Sequence, residues 1–273
     1  MMLVNGQPAE ALPLDDRALS FGDGLFETLA AFDGACPWFE RHLARLRLGC
    51  DVLGLPHPDA EALREETSRV AAGRKRAVIK WIVTAGSGGR GYARPQPVQP
   101  RRIVQAHPWP EHPRAYRDEG IALHVCRLRL SAQPALAGIK HLNRLEQVLA
   151  RKELPEGCAE GVLCNAAGEV VEGIASNLFA VLDETLITPP IDDCGVNGLM
   201  RRWALETAIE AGIDTAIEPL RPEDLERARE IFMTNALIGL WPVSRIGETD
   251  VSPGPVQKRL LARLLETYPV IDG

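Results

Sequence analysis

Gly138-Ile139-Lys140-His141-Leu142-Asn143-Arg144-Leu145-Glu146-Gln147-Val148-Leu149-Ala150-Arg151-Lys152 puts a lysine where a helix is expected to start. Leu142, Leu145 and Leu149 recur at helical spacing, which predicts an amphipathic helix whose first turn begins at or next to Lys140. The N-terminal end of a helix carries partial positive charge, so an amine placed there is biased toward its neutral, nucleophilic form. By itself the segment reads more simply as a solvated surface lysine.

Outward from this stretch, Ile121 to Leu130 reads as a strand before it. After it come two hairpins, Gly161 to Glu172 turning at Asn165 to Gly168 and Asn177 to Thr188 turning at Asp183-Glu184. Gly195 to Ala211 predicts a helix whose glycine-bearing start leaves backbone N–H groups suited to an anion such as phosphate. A strand from Glu230 runs into Thr234-Asn235-Ala236, and Pro255 to Tyr268 predicts a final helix. In the N-terminal part, a strand from Phe26 to Phe32 meets the hairpin signal Asp33-Gly34. Helices are predicted from Phe39 to Leu55 and from Asp59 to Ala72, and strands over Ala77 to Ala85 and Arg102 to Ala106. Gly86-Ser87-Gly88-Gly89-Arg90-Gly91 formally matches a dinucleotide fingerprint, but Pro95, Pro97 and Pro100 forbid the helix that fingerprint needs. The segment therefore reads as a flexible glycine-rich loop.

The proline-dense run His107 to Pro113 serves as an interdomain linker, which predicts an N-terminal α/β domain over 1–106 and a larger α/β domain over 114–273. A length of 273 residues with 45% hydrophobic and 25% charged side chains suits a globular protein of mixed α/β class. A net charge of −6 argues against nucleic acid or an anionic membrane as the main partner. The six cysteines show no C-x-x-C pair and no zinc-site spacing, so no metal is expected and free thiols are. Without signal-peptide features or a long apolar run, the expected compartment is the cytoplasm.

Six blocks carry more than periodicity: Phe21-Gly22-Asp23-Gly24-Leu25-Phe26-Glu27-Thr28, His42-Leu43-Ala44-Arg45-Leu46, Lys140-His141-Leu142-Asn143-Arg144, Glu172-Gly173-Ile174-Ala175-Ser176-Asn177, Gly198-Leu199-Met200-Arg201 and Thr234-Asn235-Ala236. In order and spacing they resemble the class IV pyridoxal-phosphate enzymes, and the resemblance spans nearly the whole chain. It implies a two-domain fold-type IV architecture with the cofactor in the interdomain cleft, a small-molecule substrate and a homodimer. Leu136 to Gln147, Gly195 to Arg201 and Met233 to Leu237 look most like the aminodeoxychorismate lyases. The implied reaction is elimination of pyruvate from 4-amino-4-deoxychorismate to leave 4-aminobenzoate, a step of folate synthesis. D-amino acid or branched-chain transamination is the alternative, and a non-catalytic binding protein on the same scaffold is a more distant one.

The resemblance also implies roles. Lys140 would carry pyridoxal phosphate covalently and move the substrate proton, and Glu172 would pair with the pyridine nitrogen, with Asn177 in the same cofactor-binding block. Arg45 would grip the phosphate, aided by the N–H groups of Leu199 and Met200 and by Thr234 and Asn235. Thr28 would lie beside the leaving group, although an ordinary strand threonine fits that position equally. Arg90 and Tyr92 would meet a substrate carboxylate from a lid-like loop, which reads equally as a floppy hairpin tip. His141 and Arg144, on the expected helix, would point elsewhere.

Overall fold

Lys140 is not at a helix start. The computed structural model describes residues 1–268, and in it the first helical residue after Lys140 is Leu145. The cause is backbone pairing: Phe26 N–H donates to Lys140 O at 2.9 Å and Leu142 N–H donates to Gly24 O at 3.0 Å. Groups already spent on a neighbouring strand cannot also form a helical ladder. The leucines that suggested the helix from Lys140 onward instead leave Leu145 77% and Leu149 52% exposed. The dipole argument for Lys140 falls with the helix.

The chain divides into two units, Met1–Pro110 with Ile139–Asn143, and Glu111–Gly138 with Arg144–Gly273. Positions 269–273 of the expected second domain lie outside the described residues. The first unit contains β1 (Met2–Val4), β2 (Gln7–Pro8), α1 (Arg17–Phe21), β3 (Gly24–Phe32), α2 (Phe39–Leu53), α3 (Ala60–Ala71), β4 (Arg76–Thr84) and β5 (Arg101–His107). Its strands form an antiparallel sheet in the order β2-β1-β5-β4-β3. Along β3 the odd positions Leu25, Leu29 and Ala31 are buried, matched in register by Val83, Ile79 and Ala77 of β4. This is the period-2 pattern of a half-covered sheet. Leu43, Leu46 and Cys50 present the apolar stripe of α2 to it. Gly49 belongs to the same fit, since a Cβ there would meet Leu25 Cδ2 at 2.8 Å. Asp59 caps α3 through Ala62 N–H at 2.7 Å, and Gly54, at φ 61°, ends α2. Asp33-Gly34 makes a two-residue hairpin turn closed by the Phe32–Ala35 pair, but the antiparallel pairing stops at that one bridge. The next apolar residues repeat at helical spacing, so the chain enters α2 and β3 finds β4 as its partner instead.

The second unit contains α4 (Ala115–Asp118), β6 (Ile121–Leu130), α5 (Leu145–Arg151), β7 (Glu160–Asn165), β8 (Val170–Gly173), β9 (Asn177–Leu182), β10 (Thr185–Thr188), α6 (Leu199–Glu210), β11 (Thr215–Ile217), α7 (Pro222–Glu226), β12 (Glu230–Asn235), β13 (Gly239–Ile246), β14 (Thr249–Asp250) and α8 (Pro255–Thr267). Its sheet runs β11-β10-β9-β12-β13-β6-β7-β8, with β14 on β13. Both expected hairpins form, β7 with β8 and β9 with β10. Phe179 and Phe232 stack in the core with centroids 5.0 Å apart. Buried Glu230 accepts the Val256 and Gln257 N–H groups at the start of α8. β13 has no clear signature in the sequence, because Leu240-Trp241-Pro242-Val243 is continuously apolar and interrupted by proline. Among the described residues no helix is long and apolar enough to cross a membrane.

Candidate active site

In the first unit, the edge strand β3 decides what accompanies Lys140. A bridge between Leu25 and His141 sets Lys140 beside Phe26, and the Lys140 ammonium lies 4.5 Å from the Phe26 ring centroid. Lys80 approaches the same ring at 5.1 Å. Thr28 pairs with Lys80 in the β3–β4 register and lies two residues beyond Phe26, hence on the same face. Lys140, Thr28, Phe26 and Lys80 therefore share one half-exposed surface. His141 and Arg144 lie off the expected helix, His141 in the extended segment and Arg144 at the cap before α5.

Alternation sends Glu27 to the opposite, buried face. There it accepts Arg45 Nε at 2.7 Å, Arg45 Nη2 at 2.6 Å and His42 Nδ1 at 2.6 Å. Burial opposes ionisation of Glu27, but the Arg45 charge and the hydrogen bonds from Arg45 and His42 outweigh it and hold the carboxyl at about 2. His42 is pushed the other way: burial lowers its pKa despite the hydrogen bond and charge of Glu27, with Arg45 and Lys140 adding to the lowering. A neutral His42 donating through Nδ1 follows, so its link to Glu27 is a hydrogen bond and the ion pair is the Arg45 fork. Arg45 is thus buried, and its fork onto the Glu27 carboxylate fixes the orientation of its guanidinium.

The glycine-rich loop is held in place. Arg17, 3% exposed, donates to the carbonyls of Gly88, Gly91, Tyr92 and Ala93 and, through Nε, to Asp23 at 2.9 Å. Arg94 also pairs with Asp23. Arg90 and Tyr92 are exposed, and the Tyr92 ring rests against Phe21 at 5.5 Å. The reading of a floppy tip is corrected by Arg17, whose position before the loop gave no local signal.

In the second unit, the turn ahead of α6 is fixed atom by atom. Glu172, 4% exposed, accepts Val196 N–H at 2.8 Å, and Asn177 Nδ2 donates to Val196 O at 2.9 Å. Gly138 clasps the same turn, donating to Gly195 O and accepting Asn197 N–H. Gly198 is the N-cap of α6 and offers no side-chain cap, so the N–H groups of Leu199 and Met200 have no intrahelical acceptor. Thr234 stands opposite Asn177 in the β9–β12 register, hence on the same face, and Asn177 itself packs on Gly198. Thr234 is completely buried and its Oγ1 has no hydrogen-bond partner among the described residues. A buried hydroxyl left unsatisfied costs stability unless something binds it. Two helix-start N–H groups and this hydroxyl fit an anionic, phosphate-sized group. The Asn235 side chain shapes the turn after β12: Oδ1 accepts the Leu237 and Ile238 N–H groups and Nδ2 donates to Ala175 O.

Glu27, Phe26 and Arg201 are the residues sequence reasoning missed. For Glu27 a signal existed, its odd position between buried Leu25 and Leu29. Spacing does not show the group His124, Cys126 and Glu153, found among the described residues, whose ligand atoms lie within 4.8 Å of one another. Glu153 is already engaged by the Arg127 and Leu128 N–H groups, while burial and the Glu153 charge push the Cys126 thiol up to about 11. The six cysteines are free, Cys36 and Cys158 half-buried and the others buried.

The family model for class IV amino-transferases matches residues 24–246. Aminodeoxychorismate lyase from Vibrio harveyi is 35% identical over 270 residues, covering 97% of this chain and 99% of that protein. The crystal structure of 4-amino-4-deoxychorismate lyase from Pseudomonas aeruginosa superposes with a TM-score of 0.94 at 44% identity, covering all of both chains. A hypothetical aminotransferase from Mycobacterium tuberculosis, in a PLP-bound form, matches with a TM-score of 0.83 at 25% identity, again over the full length of both chains.

Proposed function

We propose that this chain, which belongs to the class IV aminotransferase family, is a pyridoxal-phosphate-dependent lyase converting 4-amino-4-deoxychorismate to 4-aminobenzoate and pyruvate. The observation that carries the cofactor reading is Thr234, a fully buried hydroxyl lacking a partner beside the uncapped start of α6. The choice of lyase over transaminase is supported by the identity of 35% and 44% to the two aminodeoxychorismate lyases, against 25% to the PLP-bound aminotransferase.

Pyridoxal phosphate, when bound, supplies an electron sink for negative charge at the substrate's amine-bearing carbon. Each residue then has a task. The N–H groups of Leu199 and Met200 and the Thr234 hydroxyl hold the phosphate, and Asn177 keeps their turn in place. Arg45, oriented by its fork to Glu27, remains in the proposal as the phosphate's arginine. Glu172 keeps a proton on the pyridine nitrogen. Lys140 Nζ would hold the cofactor covalently and, when freed, would take the proton from the substrate's amine-bearing carbon. The ether C–O bond to the enolpyruvyl group then breaks beside Thr28, the ring becomes aromatic, and the released enol gains a proton to become pyruvate. Arg90 and Tyr92 are proposed contacts for a substrate carboxylate.

A homodimer and a cytoplasmic location complete the proposal; the exposed Leu145, Val148 and Leu149 face of α5 and the free cysteines support them. Borohydride reduction of the cofactor-loaded protein, followed by peptide mapping, tests the site. The cofactor is expected on Lys140 and absent from Lys140→Ala; attachment at another lysine would defeat the assignment.

A further inference from the structure

Arg201, three residues inside α6, is 5% exposed. Its guanidinium donates through Nε to Thr188 Oγ1 at 3.1 Å, through Nη1 to Asn197 Oδ1 at 3.0 Å and through Nη2 to Pro189 O at 2.9 Å. All three acceptors are neutral, and among the described residues no carboxylate lies within ion-pair distance of it. Burial alone moves its pKa, downward. The contrast with Arg45, whose buried charge meets Glu27 directly, is complete. A buried cation satisfied only by neutral oxygens retains most of its desolvation cost and projects its field into its surroundings.

Those surroundings are the turn and helix start on which Asn177 packs, and Asn177 pairs across β9–β12 with Thr234, whose hydroxyl is unpartnered. Asn197, which Arg201 grips, follows the Val196 peptide held by Glu172 and Asn177, and precedes Gly198. Thr188 is itself anchored, its hydroxyl donating to Leu178 O at 2.9 Å on the strand that bears Asn177. Arg201 therefore ties the turn to β9 and β10 and places one uncompensated positive charge within the first turn of α6.

We infer that Arg201 is the positioning residue of this seat, fixing the Asn197–Gly198 turn and supplying the counter-charge that a phosphate monoester completes. Arg201 does not touch the ligand; it acts through the turn and through its charge. The inference rests on the phosphate-bearing cofactor of the proposed function. It predicts selectivity for phosphate, distinct from a general need for a folded helix.

The test compares wild-type apo-protein with Arg201→Met and Arg201→Lys, titrated with pyridoxal 5′-phosphate, with pyridoxal lacking the phosphate, and with inorganic phosphate followed by thermal shift. Arg201→Met should weaken pyridoxal 5′-phosphate and inorganic phosphate by roughly 10- to 100-fold, the range for losing one ionised group's contribution, while pyridoxal affinity stays within about twofold. Arg201→Lys, which keeps the charge and loses the fork, should fall between, and it carries the test if the methionine variant does not fold. Equal losses for pyridoxal and its phosphate, or no loss for either, would overturn the inference. If the wild type binds inorganic phosphate in an Arg201-dependent way yet fails to bond pyridoxal 5′-phosphate at Lys140, the cofactor reading fails and the Arg201 seat stands.

Discussion

Replacing Glu27 by glutamine keeps the shape of the buried cluster and removes the carboxylate that Arg45 and His42 share. In the wild type the carboxyl falls from 4.5 to about 2 on folding, and at about 1.4 kcal/mol per unit this linkage contributes roughly 3 kcal/mol at neutral pH. The group is 1% exposed, so solvent screening does not diminish it. Glu27→Gln also takes the carboxylate away from the buried Arg45 fork, and breaking a buried pair by removing one partner costs about 3–5 kcal/mol. That is a large share of a typical stability of about 5–15 kcal/mol. The pH dependence has a definite sign. Because the folded pKa of Glu27 is depressed, its contribution is present above pH 4.5 and is lost as pH falls from 4.5 toward 2. His42 is also depressed, so the stability from keeping it neutral is present above 6.5 and declines below that. Urea unfolding of the apo-protein at pH 7, 5 and 3 measures both. Glu27→Gln should be destabilised by about 3–5 kcal/mol at pH 7, with the gap to wild type narrowing toward pH 3. A variant within about 1 kcal/mol of wild type at pH 7, or a gap that widens on acidification, would refute the cluster's energetics.

Thr234→Val removes a buried hydroxyl without a partner. Apo stability should hold or rise by up to about 1 kcal/mol while affinity for pyridoxal 5′-phosphate drops by about 1.5–3 kcal/mol; a titration unchanged from wild type counts against the phosphate seat. Gly198→Ala keeps an acceptable backbone, φ being −62°, but its Cβ collides with Asn177 Oδ1. It should cost about 1–3 kcal/mol in thermal or urea unfolding, and an unaffected variant would show that Asn177 can move freely. Arg17→Met strips the Gly88–Ala93 backbone of its donors, so limited proteolysis should cut this loop faster than in wild type; equal rates would mean the loop is held by something else.

Local patterns gave the elements well wherever one periodicity acted alone. The stripe Leu43, Leu46, Cys50 marks α2, and Asn165 to Gly168 marks the β7–β8 turn. Lys140 defeated the same logic, because Leu142, Leu145 and Leu149 imitate a helix whereas the backbone of Lys140 and Leu142 is paired with β3, more than a hundred residues earlier. No local rule contains such a partner. Asp33-Gly34 shows the converse, a true turn whose strand partner is elsewhere. In the site, residue types were legible from the motif blocks, whereas their hydrogen-bond partners were not. The Arg45 fork depends on Glu27, the Asn235 side chain on Ala175 and the glycine loop on Arg17, each supplied by a distant segment. Arg201 appeared in the sequence only as the last letter of Gly198-Leu199-Met200-Arg201, and its neutral surroundings became visible only with the fold.

Incubating the pyridoxal-phosphate-loaded protein with 4-amino-4-deoxychorismate, with no 2-oxo acid present, tests the proposed activity most directly. The account predicts equal amounts of 4-aminobenzoate and pyruvate over many turnovers, and none from Lys140→Ala. Absence of 4-aminobenzoate, together with amino transfer from a D- or branched-chain amino acid to a 2-oxo acid, would contradict it.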